Sequence, residues 1–148
     1  MKKFLLAVFA AFAITAGAGT ISADAATTTA QLTQTAKKYI GIPYKYGGTT
    51  TSGLDCSGYT QLVFKKLGYS LNRTAASQYQ QGKSVAKSKL VTGDLVFFNT
   101  NGKGVSHVGL YLGNGQMVHA ANSKSGVKYD SINSSYYKSR FVNARRVV

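Results

Sequence analysis

The apolar pattern along the chain changes character twice. After Met1-Lys2-Lys3 comes an unbroken apolar run, Phe4 to Ile14, and then small residues ending in Ala23-Asp24-Ala25. A basic start, a short apolar stretch and an A-x-A exit form a secretory signal peptide, and the run is well short of the roughly 20 apolar residues that span a bilayer. Cleavage after Ala25 is therefore expected, giving a signal segment at 1–25, a polar, flexible lead-in at 26–35, and one folded domain at 36–148. No later segment is apolar enough to span a membrane.

From Leu32, at the end of the lead-in, to Ile40 the period is helical. Leu32, Ala36 and Ile40 recur at i, i+4 and i+8 before Gly41. The stretch 41–48 cannot be regular structure, and 47–53 (GGTTTSG) continues it as a flexible loop rich in turn formers. Tyr59, Leu62, Val63 and Leu67 then share a face, with Asp55 at the N-cap position, Lys65 and Lys66 in the last turn, and Gly68 where a helix terminates. A third short helix is predicted over 75–81, capped by Thr74 and stopped by Gly82. After Gly82 the period shortens to that of strands: 94–98, 105–112, 116–120 and a last run at 141–148. Helices first and an antiparallel sheet second predict an α+β domain, with helices packed on one side of the sheet.

Composition narrows the chemistry. The 148 residues carry 18 Lys+Arg against 4 acidic residues, a formal +14. Without Lys2, Lys3 and Asp24 the balance is +13. Such a field favours polyanions through contacts that weaken with salt. Export points to anionic cell-wall polymers as partners, and no RNP, zinc-finger or helix-turn-helix pattern supports nucleic acid. All four acidic residues are Asp, and only Asp55, Asp94 and Asp130 follow the signal segment. A glycosidase needs a suitably spaced carboxylate pair, and so few carboxylates argue against one.

The chain has one cysteine and two histidines. A lone Cys in an exported chain cannot form an internal disulfide, and Cys56 falls at a helix N-terminus, where free N–H groups and the dipole favour a thiolate. Gly58 is expected to keep that first turn open to a substrate carbonyl. His107 lies within one predicted strand and His119 near the end of the next, joined through Gly113-Asn114-Gly115. A two-residue turn at 114–115 makes paired residue numbers sum to 229, which sets His119 opposite Leu110 and puts the imidazoles on opposite faces. A three-residue loop with Gly115 in the left-handed position makes the sum 228. His119 then pairs with Gly109 and lies diagonal to His107 on one face, leaving Val108, Leu110, Leu112, Val118 and Ala120 as core on the other.

These residues resemble the NlpC/P60 cell-wall peptidases. The similarity runs, in family order, through 41–48 (GIPYKYGG), 54–58 (LDCSG), 73–75 (RTA) with Gln78, 93–98 (GDLVFF), 106–113 (SHVGLYLG), 118–120 (VHA) and the terminal 140–147. Thr92 stands where the family usually has proline, at a turn. The resemblance implies a papain-like fold with Cys56 as nucleophile, His107 as base and His119 as the group that orients it. It further implies that Tyr44 lies beside the nucleophile, that Asp55 and Ser57 line the subsite before the cut, and that Arg73 borders the same groove. The implied activity is hydrolysis of amide bonds in peptidoglycan stem peptides, favouring γ-D-glutamyl–diamino acid, by a monomer secreted to the cell wall or periplasm that needs no cofactor or metal.

Four alternatives accompany that reading. One is a D,D-endopeptidase cutting cross-links. Another is a zinc hydrolase, since Cys56, His107 and His119 are suitable ligand types. A lipid acyltransferase is a third. The fourth is a non-catalytic cationic module that binds the wall, in which Cys56→Ala changes nothing.

Overall fold

The structure is a computed structural model that describes residues 23–148. Apart from its last three residues, the expected signal segment lies outside the described residues. Helix α1 runs Ala23–Lys38, so the segment 26–35, expected to be a flexible lead-in, is helical instead. Its Thr-rich sequence has little helix propensity, and tertiary packing supplies what propensity does not. Leu32, Ala36 and Tyr39 are buried, and Tyr59 donates its hydroxyl to the Ala36 carbonyl at 2.9 Å. Ile40, expected on the same face, lies beyond the helix end and is 37% exposed.

The loop that follows is ordered rather than flexible. Strands β1 (Thr49–Thr50) and β2 (Gly53–Leu54) form a small hairpin. Tyr44 bridges to Leu54 in parallel, and Gly41 and Ile42 exchange backbone hydrogen bonds with Val127. Helix α2 then spans Cys56–Lys66. At its C-terminus the Tyr69 N–H reaches the Phe64 carbonyl and the Gly68 N–H reaches that of Lys65, with Gly68 at φ +89° and Tyr69 packed edge-on to Phe64. This is a Schellman stop, and it depends on the glycine expected there. Helix α3 is shorter than expected, Ala75–Gln78, with Thr74 and Ser77 forming its capping box.

Six strands make one antiparallel sheet: β3 (Lys83–Val85), β4 (Leu95–Phe98), β5 (His107–Gly113), β6 (Gln116–Ala120), β7 (Val127–Ser131) and β8 (Phe141–Arg146), in the order β3-β8-β4-β5-β6-β7. A four-residue helix α4, Ser135–Lys138, connects β7 to β8. The edge strands β3 and β7 are polar, which is why period alone does not mark them. Helices α1 and α2 press Leu32, Ala36, Tyr59, Val63 and Phe64 against Leu95, Phe97, Val108, Leu110, Val118 and Ala120. The opposite face is also covered: Val96, Phe98, Met117, Ile132 and Ala144 pack with Leu90, Tyr137 and Phe141. That second layer explains why all of 94–98 is buried.

Candidate active site

Asp55 begins the site. Its Oδ1 accepts the Gly58 N–H at 2.7 Å, capping α2 as expected, and its Oδ2 accepts the Gly47 N–H at 3.1 Å. One carboxylate thus ties the helix to the preceding loop. Gly58 has a different role from the one expected. A Cβ there would lie 2.0 Å from the Gly48 carbonyl oxygen, so the missing side chain admits the loop backbone rather than a substrate.

Cys56, the first residue of α2, is a free, partly buried thiol. The helix-terminus argument expects a lowered pKa, but the net shift is upward. Burial is the largest cause, and it outweighs N–H groups of Val108, Ser57 and Cys56 that favour the thiolate. Val108 is the residue after His107, so the thiol lies against the backbone at the start of β5. Nearby charge identifies its other neighbours. The phenol of Tyr44 is held protonated by burial, then by the charges of Cys56 and Asp55. Arg73 donates Nη1 to Asp55 Oδ1 at 3.1 Å and to Ser57 Oγ at 2.8 Å, and Nη2 to Asp55 Oδ2 at 2.7 Å. Tyr44, Asp55, Ser57 and Arg73 therefore gather around the N-terminus of α2. Beneath them the buried Gln78 donates to the Ser57 and Asn72 carbonyls and accepts from Thr60, fixing the first turn to the following loop.

The histidines come together through a register the sequence arithmetic reached by a different loop. Leu110 pairs with Val118 and Tyr111 with Met117, giving the sum of 228, yet Gly113 pairs with Gln116. The tip is thus a two-residue turn, Asn114 at φ 55° and Gly115 at φ 76°, and an irregularity between Tyr111 and Gly113 supplies the one-residue shift. Both imidazoles then fall on one face, and His107 Nε2 lies 2.7 Å from His119 Nδ1. Val108, Leu110, Val118 and Ala120 fill the helix side, with Leu112 partly buried against them. Gly109 lies beside the pair: a Cβ there would meet Met117 Sδ at 2.6 Å and His119 Cβ at 3.4 Å.

Sequence reasoning left two neighbours out. Asp130 on β7 places Oδ2 2.8 Å from His119 Nε2, and Lys128 Nζ lies 3.5 Å from the same oxygen. Tyr137 of α4 stacks on His107, centroids 6.1 Å apart, and meets His119 edge-on. Burial disfavours positive charge on both rings. His107 is pushed down to about 3 by burial and then by His119, and His119 is lowered by burial despite the opposing pull of Asp130. Thr100, Ala121, Asn122 and Tyr136 complete a cleft of about 450 Å³ beside His107, Asp130 and Tyr137.

Chemically, a neutral imidazole whose far nitrogen is held can accept a proton at its near one, and the thiol on the adjoining backbone is a proton source. The zinc alternative is poorly served. Both ring nitrogens of His119 are already engaged, and among the described residues no three His, Cys, Asp or Glu side chains converge as a metal site.

Residues 41–146 match the NlpC/P60 family. The chain is 48% identical over 109 residues to the murein DD-endopeptidase MepS/murein LD-carboxypeptidase of Escherichia coli, covering 73% of this chain and 57% of that protein. It is 43% identical over 133 residues to the gamma-DL-glutamyl hydrolase of Bacillus subtilis, covering 88% of this chain and 32% of that one. The chain thus spans well under two thirds of the length of these curated relatives. Among solved structures, an NlpC/P60 family protein from Bacillus cereus superposes with a TM-score of 0.76 at 37% identity, covering 80% of this chain and 39% of the other. With the family's match extending from the Tyr44 loop to the last strand, the chain belongs to the NlpC/P60 family.

Proposed function

We propose that the protein is a secreted cysteine endopeptidase that hydrolyses amide bonds in peptidoglycan stem peptides. The observation that carries this reading is the buried, hydrogen-bonded pair His107–His119, with His107 on the strand whose backbone meets the Cys56 thiol. His107 Nδ1 takes the thiol proton as sulfur attacks the scissile carbonyl. It returns that proton to the departing amine, then removes one from the water that hydrolyses the acyl-enzyme. His119 holds His107 through Nε2. The raised Cys56 and lowered His107 favour a neutral resting pair, so proton transfer accompanies attack rather than preceding it. Tyr44, still protonated, is suited to donate to the developing oxyanion. Asp55, Ser57 and Arg73 form the wall of the subsite before the cut.

The bond we favour is γ-D-glutamyl to diamino acid; the name of the Bacillus subtilis relative, a gamma-DL-glutamyl hydrolase, supports its γ-glutamyl side. The name of the Escherichia coli relative supports D,D-cleavage of cross-links as the second reading. Purified muropeptides incubated with the protein and resolved by mass spectrometry separate the two, because the bonds release fragments of different mass. Cys56→Ala should abolish every product. Retained cleavage in that variant would remove the thiol mechanism.

Wall targeting is attributed to charge. The carboxylates of Asp55, Asp94 and Asp130 pair internally with Arg73, Arg146, and His119 with Lys128, so the remaining lysines and arginines are left for polyanions.

A further inference from the structure

His119 stands between two partners of unequal chemistry. On one side is an imidazole that can donate or accept; on the other is a carboxylate that, ionised, only accepts. The three side chains lie in a diagonal stripe across the sheet. His119 pairs directly with Lys128, so Asp130 is its diagonal neighbour on β7, as His107 is on β5. We propose that Asp130 is a positioning residue that sets the direction of the whole relay.

The Asp130 carboxylate requires a hydrogen on His119 Nε2, which leaves Nδ1 of the neutral ring as an acceptor. His107 must then carry its hydrogen on Nε2, and its Nδ1 lone pair is free. In the reverse direction His119 would donate from Nδ1, His107 would hold its hydrogen on Nδ1, and that nitrogen could not take a proton from a thiol. When the Cys56 proton does move to His107 Nδ1, the Nε2–H stays in place, pointing down a chain that ends in negative charge. Lys128 is the weaker partner of this carboxylate: its ion pair is longer, and both of its members are more open to water than His119. Tyr137 closes the stripe from α4 without joining it.

This inference rests on the reading of His107 as base, and its test separates the two. In the full-length protein labelled with 15N-histidine, at pH 7.5, two-bond 1H–15N spectra report which nitrogen of each ring bears the hydrogen. Both wild-type rings should be single Nε2–H tautomers. Asp130→Asn offers His119 either an amide oxygen or an N–H, so the tautomers should become mixed. Its kcat on muropeptides should fall about 10- to 100-fold, less than the roughly 10⁴ lost when the carboxylate that directly holds a serine-protease base becomes an amide, because Asp130 acts one ring further away, with KM little changed. Asp130→Glu should recover part of that loss. A wild-type His119 protonated at Nδ1 would overturn the proposal without any variant. So would Asp130→Asn with unchanged tautomers, or with mixed tautomers and unchanged kcat. Full cleavage by Cys56→Ala would instead defeat the thiol mechanism and leave ring direction to the spectra.

Discussion

His119 is fully buried and hydrogen-bonded at both nitrogens, so a substitution there removes orientation rather than chemistry. His119→Ala should lower kcat by about 10² to 10⁴, at most the roughly 10⁴ lost when the orienting group of a serine-protease triad is spoiled, because a thiol is intrinsically easier to deprotonate. His119→Asn or His119→Gln should lose less, and His107→Ala should abolish turnover; single-turnover rates on muropeptides read all four. Cys56 and the histidines were legible in the sequence because each is scarce and each falls at a place with a geometric meaning. Asp130 was not. Its strand, VKYDS, has one fully buried residue, Val127, and a diagonal contact with β6 depends on a pairing that local sequence does not specify. Tyr137 was hidden for a related reason, since α4 is a four-residue helix whose residues read as a polar loop.

At the scale of elements, α2 is held at both ends by features the sequence displays, a capping Asp55 and a terminating Gly68. What the sequence does not display is how closely the 41–54 loop approaches it. Gly58→Ala puts a methyl into the Gly48 carbonyl, which is backbone and cannot swing aside. The Gly48 carbonyl also accepts the Asp55 N–H, so the displacement is felt at the cap and at Cys56 together. Urea melts should show a loss of about 1–3 kcal/mol, the range for overpacking, and activity should fall further than stability. Helix α1 makes the converse point: its first ten residues read as a loose lead-in because what stabilises it, the core that buries Leu32 and the Tyr59 hydroxyl on the Ala36 carbonyl, is supplied from elsewhere in the chain.

Across the whole molecule, two uncharged histidines buried beneath the active site link folding to acidity. The unfolded chain protonates its histidines near 6.5, whereas folded His107 resists protonation down to about 3 and folded His119 is shifted in the same direction. Below pH 6.5 the unfolded state therefore binds more protons. Stability should hold above that pH and decline as pH falls from 6.5 to 5, by up to about 1.4 kcal/mol per unit for each histidine. Thermal melts across that window should show the fall, and the double substitution His107→Gln, His119→Gln should flatten it. The fold class was readable at this scale from helical periods giving way to strand periods. The second packed face of the sheet was not, because the segments that cover it are short and polar.

The register shift beside Gly113 also bears on which insertions and deletions the chain can tolerate. Hairpin tips are usually where a protein accepts a change of length. Here the tip counts residues for the active site. Deleting Gly113 removes the extra residue, so Leu112 faces Gln116 and the pairing that keeps both imidazoles on one face survives, whereas deleting Gln116 from β6 sets His119 opposite Leu110 and sends it to the side of the sheet occupied by α2. No side chain near the thiol would have been altered. In a library of single-residue deletions selected for hydrolysis, loss of Gln116 should therefore be as damaging as loss of Cys56, whereas loss of Gly113 and deletions in the exposed 101–104 turn should survive.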